Sequence, residues 1–119
     1  MRQQKTLLVD LSTGQISTEL VPRDVESMFI GSRGVNAYCV YKMLKTNTDP
    51  LGPDDPLMFG ARALTGTAAP CSGRSGVTYN SPVSGLCVKA NGGGHWGAEL
   101  RFAGYDYAIK GRRSIPQVL

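Results

Sequence analysis

Asn91-Gly92-Gly93-Gly94 follows a strand-like run, Leu86-Cys87-Val88-Lys89-Ala90, and precedes a stretch from 95 to 103 with helical spacing at Trp96, Leu100 and Ala103. Glycines at a strand-to-helix junction leave bare N–H groups at a helix start, where orphan donors and the helix dipole together attract an anion. Without Cβ atoms the backbone can also approach a ligand closely. Arg74, with Gly73 beside it, brings a guanidinium fork matched to a phosphate or to a heteroaromatic ring carrying acceptors. Gly76-Val77-Thr78-Tyr79 and Leu86–Ala90 read as the two strands of a hairpin around a loop at 80–85. The midpoint falls near Pro82 and Val83, so Arg74 and Asn91 are predicted to face each other at the open end. Two glycine-rich corners then converge, one bearing an arginine and the other a helix start. The plainer reading is that Gly92, Gly93 and Gly94 only turn the chain and Arg74 is a surface charge.

The spacing matches neither the Walker phosphate loop, since no Lys-Ser or Lys-Thr follows the glycines, nor the dinucleotide fingerprint. A further corner, Gly31-Ser32-Arg33-Gly34, lies between two helical segments. Arg33 there either faces an anion or bonds the carbonyls of the preceding helix, and the structural role is favoured. His95 is the single histidine, and Glu99 at i+4 reads as its local partner on the helix face. No Ser-His-Asp or Cys-His set can be assembled, so no residue is assigned a catalytic role. Cys39, Cys71 and Cys87 form no Cys-x-x-Cys pair and fall short of the roughly four ligands a structural zinc or cysteine-ligated cluster needs. The net charge of +4 suits an anionic ligand or simple solubility. No basic run with interleaved aromatics points to nucleic acid, and no apolar run is long enough for a bilayer. With no signal-peptide pattern, a cytoplasmic location is expected.

The elements around these residues are those of one small domain: 119 residues, 41% hydrophobic. Residues 5–11 and 15–20 read as a hairpin, with Gly14 free to take positive φ at the turn. Pro22-Arg23-Asp24 opens a short helix to Phe29, with Asp24 as N-cap and Gly31 just past its end. A second helix is predicted over 33–44, where Val35, Cys39 and Met43 form an apolar stripe flanked by Tyr38 and Tyr41, all five packing into the core, with Cys39 a buried thiol. Residues 47–56 are a rigid loop with three prolines, and 57–61 a buried strand. Gly104 closes the helix that begins near His95, and 105–110 reads as a further strand. Gly111-Arg112-Arg113 reads as a turn. Gln117-Val118-Leu119 reads as the start of a strand, so the domain is expected to be cut short. The predicted class is α+β, with β-rich sheets, hairpins and a few short helices in a single, incomplete domain over 1–119.

Several motifs are collinear with one known family. They are Leu8-Val9-Asp10-Leu11-Ser12-Thr13-Gly14, Gly31-Ser32-Arg33-Gly34, Asp49-Pro50-Leu51, Leu64-Thr65-Gly66-Thr67-Ala68-Ala69-Pro70, Ser72-Gly73-Arg74 and Ser81-Pro82. The last and longest block runs Asn91-Gly92-Gly93-Gly94-His95-Trp96-Gly97-Ala98-Glu99-Leu100-Arg101-Phe102-Ala103-Gly104-Tyr105-Asp106. The chain resembles the first part of the N-terminal domain of the aldehyde ferredoxin oxidoreductase family, the tungsten- or molybdenum-pterin enzymes.

The resemblance implies a β-rich base on which a bis-pterin tungsten or molybdenum cofactor lies. It implies that Arg74 lies between pterin and iron–sulfur cluster, and that Asn91 helps hold a magnesium ion bridging the two pterin phosphates, with Gly92, Gly93 and Gly94 lining the site. It further implies oxidation of aldehydes to carboxylates with electrons passed to ferredoxin, the metal centre doing the chemistry and the protein supplying position and electrostatics. The family's cluster cysteines and the acid and histidine near the metal belong to later domains. This chain is therefore expected to be inactive alone and to need the remaining domains or a complementing subunit. Two departures stand out. Arg62 and Ala63 replace the usual Gly-Pro, and the strand at 107–110 is one residue short, which flips faces unless a bulge absorbs it. The alternative reading is a stand-alone interaction module that has lost the cofactor and assembles with itself through an exposed sheet edge.

Overall fold

The structure, a computed structural model, describes residues 3–111. Its strands are β1 (Lys5–Asp10), β2 (Ile16–Leu20), β3 (Pro56–Ala61), β4 (Ser75–Asn80), β5 (Cys87–Gly92) and β6 (Tyr107–Gly111). Its helices are α1 (Arg23–Met28), α2 (Ser32–Met43) and α3 (Trp96–Phe102). The strands form one sheet in the order β2-β1-β6-β3-β4-β5, with only the β1–β6 pair parallel. The fold is α+β. No helix among the described residues is long and apolar enough to cross a membrane. The expected turn at 111–113 and strand at 117–119 lie outside the described residues, apart from Gly111.

The first hairpin forms for the reason its sequence gives. The Asp10 carboxylate accepts from the backbone N–H groups of Ser12 at 2.8 Å and Thr13 at 3.4 Å, while Gly14 takes φ +74°. The Ser12 N–H, more than any other group, holds the Asp10 carboxyl below the usual aspartate range, with desolvation opposing it and Thr13 adding to the lowering. A depressed carboxyl stabilises the fold above its unfolded-state value and loses that contribution as pH falls through the folded one. Carbon-detected NMR titration is therefore expected to show Asp10 protonating at lower pH than a free aspartate, with the Ser12 amide moving in step. An ordinary aspartate titration would show that the turn is not closed by this carboxylate.

Alternation along β3 assigns the two sides of the sheet. Met58 and Gly60 face α2, whereas Phe59 meets the Trp96 ring of α3 on the other side, centroids 5.3 Å apart. The core lies between the sheet and the helices α1 and α2: Val21, Val25, Val35, Val40, Met58, Tyr107 and Ile109, with Leu8, Phe29, Tyr38, Cys39 and Leu44 packed against it. Burial pushes the Cys39 thiol up, with the Glu19 carboxylate adding to the shift, so this sulfur stays protonated.

Several expectations are corrected. Asp24 does not cap α1; Pro22 is the N-cap, without a side-chain hydrogen bond. Gly31, at φ +79°, is the N-cap of α2, so it opens the second helix instead of closing the first. The buried residues of α2 are Ser32, Val35, Asn36 and Val40, while Tyr41 and Met43 are exposed. The contact line is rotated because polar residues approach glycines in the sheet: Asn36 Nδ2 donates to the carbonyls of Met58 and Gly76, each at 3.3 Å. A count of apolar positions alone passes over that column. The second hairpin pairs Ser75 with Gly92 and Gly76 with Asn91, not Arg74 with Asn91. Its turn sits later than a midpoint at Pro82 and Val83 implies, because Gly85 at φ +67° closes it with an N–H bond to the Ser81 carbonyl at 2.8 Å. A two-residue shift keeps each side chain on its predicted face. β6 stays in regular register with both β1 and β3 through Gly111, so no bulge absorbs the shortened strand there.

Candidate cofactor-binding site

The side of the sheet that carries α2 continues past the helix's first turn. By the same alternation, Arg62 extends the face of Met58 and Gly60, Arg74 that of Thr78 and Gly76, and Lys89 shares a face of β5 with Asn91. At this uncovered end lies a cleft of about 650 Å³ whose lining includes Ser32, Arg33, Arg62, Cys71, Arg74 and Lys89. Among the described residues of its lining, four are cationic and none is a carboxylate. α2 starts there with no side-chain cap, so its first-turn N–H groups add to the positive field.

Two supports hold this rim. Arg101 on α3 donates from Nη1 to the carbonyls of Ala63 at 2.7 Å and Thr65 at 2.8 Å, and its Nε pairs with Asp106 at 3.0 Å. The Thr65 hydroxyl, fully buried, lies 2.8 Å from the carbonyl oxygens of both Ser72 and Arg74 and shares its proton between them. The backbone carrying Arg74 is thereby tied to α3 through the Leu64-Thr65-Gly66-Thr67 segment.

The two glycine corners meet: a Cβ on Gly73 would lie 3.3 Å from the Gly94 carbonyl oxygen. Asn91 is joined to the cleft by Arg62, whose Nη2 donates to Asn91 Oδ1 at 3.3 Å. Gly92, Gly93 and Gly94 are exposed beside the cleft instead of lining it, and Gly92 is the last residue of β5. The helix whose first turn lines the cleft is α2, not the seven-residue α3 that follows the glycines. Sequence reasoning missed Arg62 and Lys89 as site residues and favoured a structural role for Arg33, which lines the cleft. Lys89 was findable, being two residues from Asn91 on the same strand face. Arg62 was visible only as a departure from a family pattern. Among the described residues, no group of three or more His, Cys, Asp or Glu side chains could hold a metal.

Residues 6–119 match the family described as aldehyde ferredoxin oxidoreductase, N-terminal domain. The chain belongs to the aldehyde ferredoxin oxidoreductase family. It is 42% identical over 109 residues to a tungsten-containing aldehyde ferredoxin oxidoreductase of Pyrococcus furiosus, an alignment covering 91% of this chain and 18% of that protein. The corresponding enzyme of Thermococcus kodakarensis is 40% identical over 111 residues, covering 92% and 18%. An aliphatic sulfonate oxidoreductase, WOR-like subunit, of Pyrococcus furiosus is 31% identical over 119 residues, covering 97% and 19%. The solved active-site complex BamBC of benzoyl coenzyme A reductase, with 1,5-dienoyl-CoA, superposes with a TM-score of 0.90 at 32% identity, over 95% of this chain and 18% of that one. This aldehyde ferredoxin oxidoreductase N-terminal domain thus spans less than a fifth of the length of these relatives.

Proposed function

We propose that this chain is the surface on which the pterin portion of a tungsten- or molybdenum-bis-pterin cofactor rests, in an enzyme that oxidises aldehydes to carboxylates and delivers the electrons to ferredoxin. The observation that carries this reading is the cleft with Arg33, Arg62, Arg74 and Lys89 on its lining and no acid among its described residues, beside the bare backbone contact of Gly73 and Gly94. Phosphates and acceptor-rich rings fit such a lining, because guanidinium groups bind them through paired charge-assisted bonds. The open space at Gly93 and Gly94, where a Cβ would meet nothing within 4 Å, leaves room for a flat organic group. When bound, the cofactor supplies the redox chemistry. This chain's residues bind and orient: Arg74 engages ring or phosphate acceptors, the Thr65 hydroxyl holds the Arg74 backbone in place, and the glycines permit close approach. No residue here is assigned a proton-transfer step. Cluster ligands and catalytic groups come from chain beyond these residues, in the same polypeptide or a complementing subunit.

With those domains supplied, Arg74→Ala is expected to lower tungsten and pterin content per folded molecule several-fold. Stability should move by less than about 0.5 kcal/mol, because the side chain is exposed. Metal analysis and pterin fluorescence of the purified protein check this. Unfolding without a change in cofactor content per folded molecule would make Arg74 a structural residue instead.

A second reading, a cofactor-free module that self-associates by edge pairing, is favoured by β2, a sheet edge whose five residues are all exposed. At the other edge, β5 carries Lys89, a charge that discourages pairing. A purified chain that is dimeric and free of pterin and metal would support this second reading.

A further inference from the structure

The magnesium ion that the family resemblance assigns to Asn91 does not fit the residues present. Magnesium is a hard cation that takes oxygen ligands in near-octahedral array, usually one or two protein carboxylates together with ligand phosphate oxygens and water. Here the described residues of the cleft lining provide no carboxylate, and the side-chain oxygen of Asn91, Oδ1, already accepts a hydrogen bond from Arg62. A divalent cation at that oxygen would also stand among the charges of Arg33, Arg62, Arg74 and Lys89, which repel it. The resemblance places an uncharged Gly-Pro pair where Arg62 and Ala63 stand. A guanidinium has five N–H donors, cannot lose its proton, and needs only one N–H for Asn91. The remaining donors are available to an anion.

We infer that the Arg62 guanidinium, docked on Asn91, takes the place of the divalent cation in this chain and is the fixed counter-charge for a phosphate group of the ligand. The inference rests on the ligand class proposed above. Arg62 is a positioning and specificity residue: it makes phosphate recognition here independent of magnesium. A side chain on the rim does the work of an ion, and Asn91 becomes the acceptor that orients that side chain instead of a metal ligand.

The test is an amide NMR titration of the full 119-residue chain with inorganic phosphate, in EDTA and again with magnesium chloride. For the unaltered chain, the resonances of Gly73, Gly94 and the Asn91 carboxamide are expected to move with phosphate, with the same apparent Kd in both buffers. Magnesium alone should leave the Asn91 carboxamide where it was. Arg62→Gly should raise the Kd in EDTA about tenfold, as the loss of one charge-assisted contact implies, and magnesium should recover part of it. Arg62→Gln keeps a donor for Asn91 but loses the charge, so it should weaken phosphate binding similarly while retaining the native spectrum. If the unaltered chain binds phosphate only with magnesium, or if both variants bind as it does in EDTA, the inference is overturned while the ligand class stands. If phosphate moves none of these resonances in either buffer, the ligand class fails and takes the inference with it.

Discussion

Arg101→Ala is expected to destabilise the fold by about 3 kcal/mol, measured by urea unfolding. The variant loses an ion pair to Asp106, a side chain only 4% exposed, together with two short hydrogen bonds to the carbonyls of Ala63 and Thr65. A buried pair broken by removing one partner costs more than the pair contributes, because the remaining charge keeps its desolvation cost. The two carbonyls lose charge-assisted donors as well, each worth about 1.5 kcal/mol or more when the donor is ionised. Arg101→Lys should recover less than half of the loss, since one ammonium cannot span a carboxylate and two carbonyls in the geometry of a planar fork. The effect should extend to the cleft. Ala63 and Leu64 line it, and Thr65 holds the backbone of Arg74, so hydrogen exchange over 62–67 and 72–74 should speed up before the strands are affected. A loss below about 1 kcal/mol would mean that these contacts do not persist in solution.

The second large effect is expected at Gly60. A Cβ there would lie 2.5 Å from Asn36 Oδ1 and 2.8 Å from both Ser32 Cβ and Tyr107 Cδ1, whereas carbon atoms settle near 3.5–4.0 Å. β3 cannot yield, because it is bonded to β6 on one side and β4 on the other. α2 must therefore move away, straining the Asn36 bonds to the Met58 and Gly76 carbonyls in the core. Gly60→Ala should cost about 3 kcal/mol, the upper part of the range for an overpacked core. Because the displaced first turn carries Ser32 and Arg33 on the cleft lining, phosphate affinity of the folded fraction should fall too. Gly93→Ala serves as the stability control, since its Cβ would meet nothing within 4 Å. Equal unfolding midpoints for the two variants would show that α2 does not lie on β3 as described.

Both predictions concern residues whose weight the sequence did not display. Arg101 reads as one cation in a family block, and Gly60 as a glycine inside an apolar strand. Each matters because of groups far away in the chain, 38 positions from Arg101 to Ala63 and 22 from Asn36 to the Met58 carbonyl it bonds. The same separation explains the missed stripe of α2. Ser32 and Asn36 face inward because glycines of β3 and β4 leave room for them, which no count along the helix reveals.

Local chemistry was legible from the residues alone. The first hairpin, the extended runs, the helix closed by Gly104 and the α+β class follow from turn chemistry and alternation, which act over a few residues. That the Gly73 corner approaches the 92–94 corner follows from the second hairpin, but that Gly94 is the glycine it meets was decided by the register. Family membership came with the long block from Asn91 to Asp106. The tertiary structure decided which charges share one cleft. Arg33, Arg62, Arg74 and Lys89 come from four separate stretches of chain, and they gather because strand order and register carry them past the end of α2 on one side of the sheet. Register and helix placement are set by long-range packing, where a shift of two residues preserves every face yet changes every neighbour. A single sequence therefore shows which side a residue occupies but not which residue stands beside it.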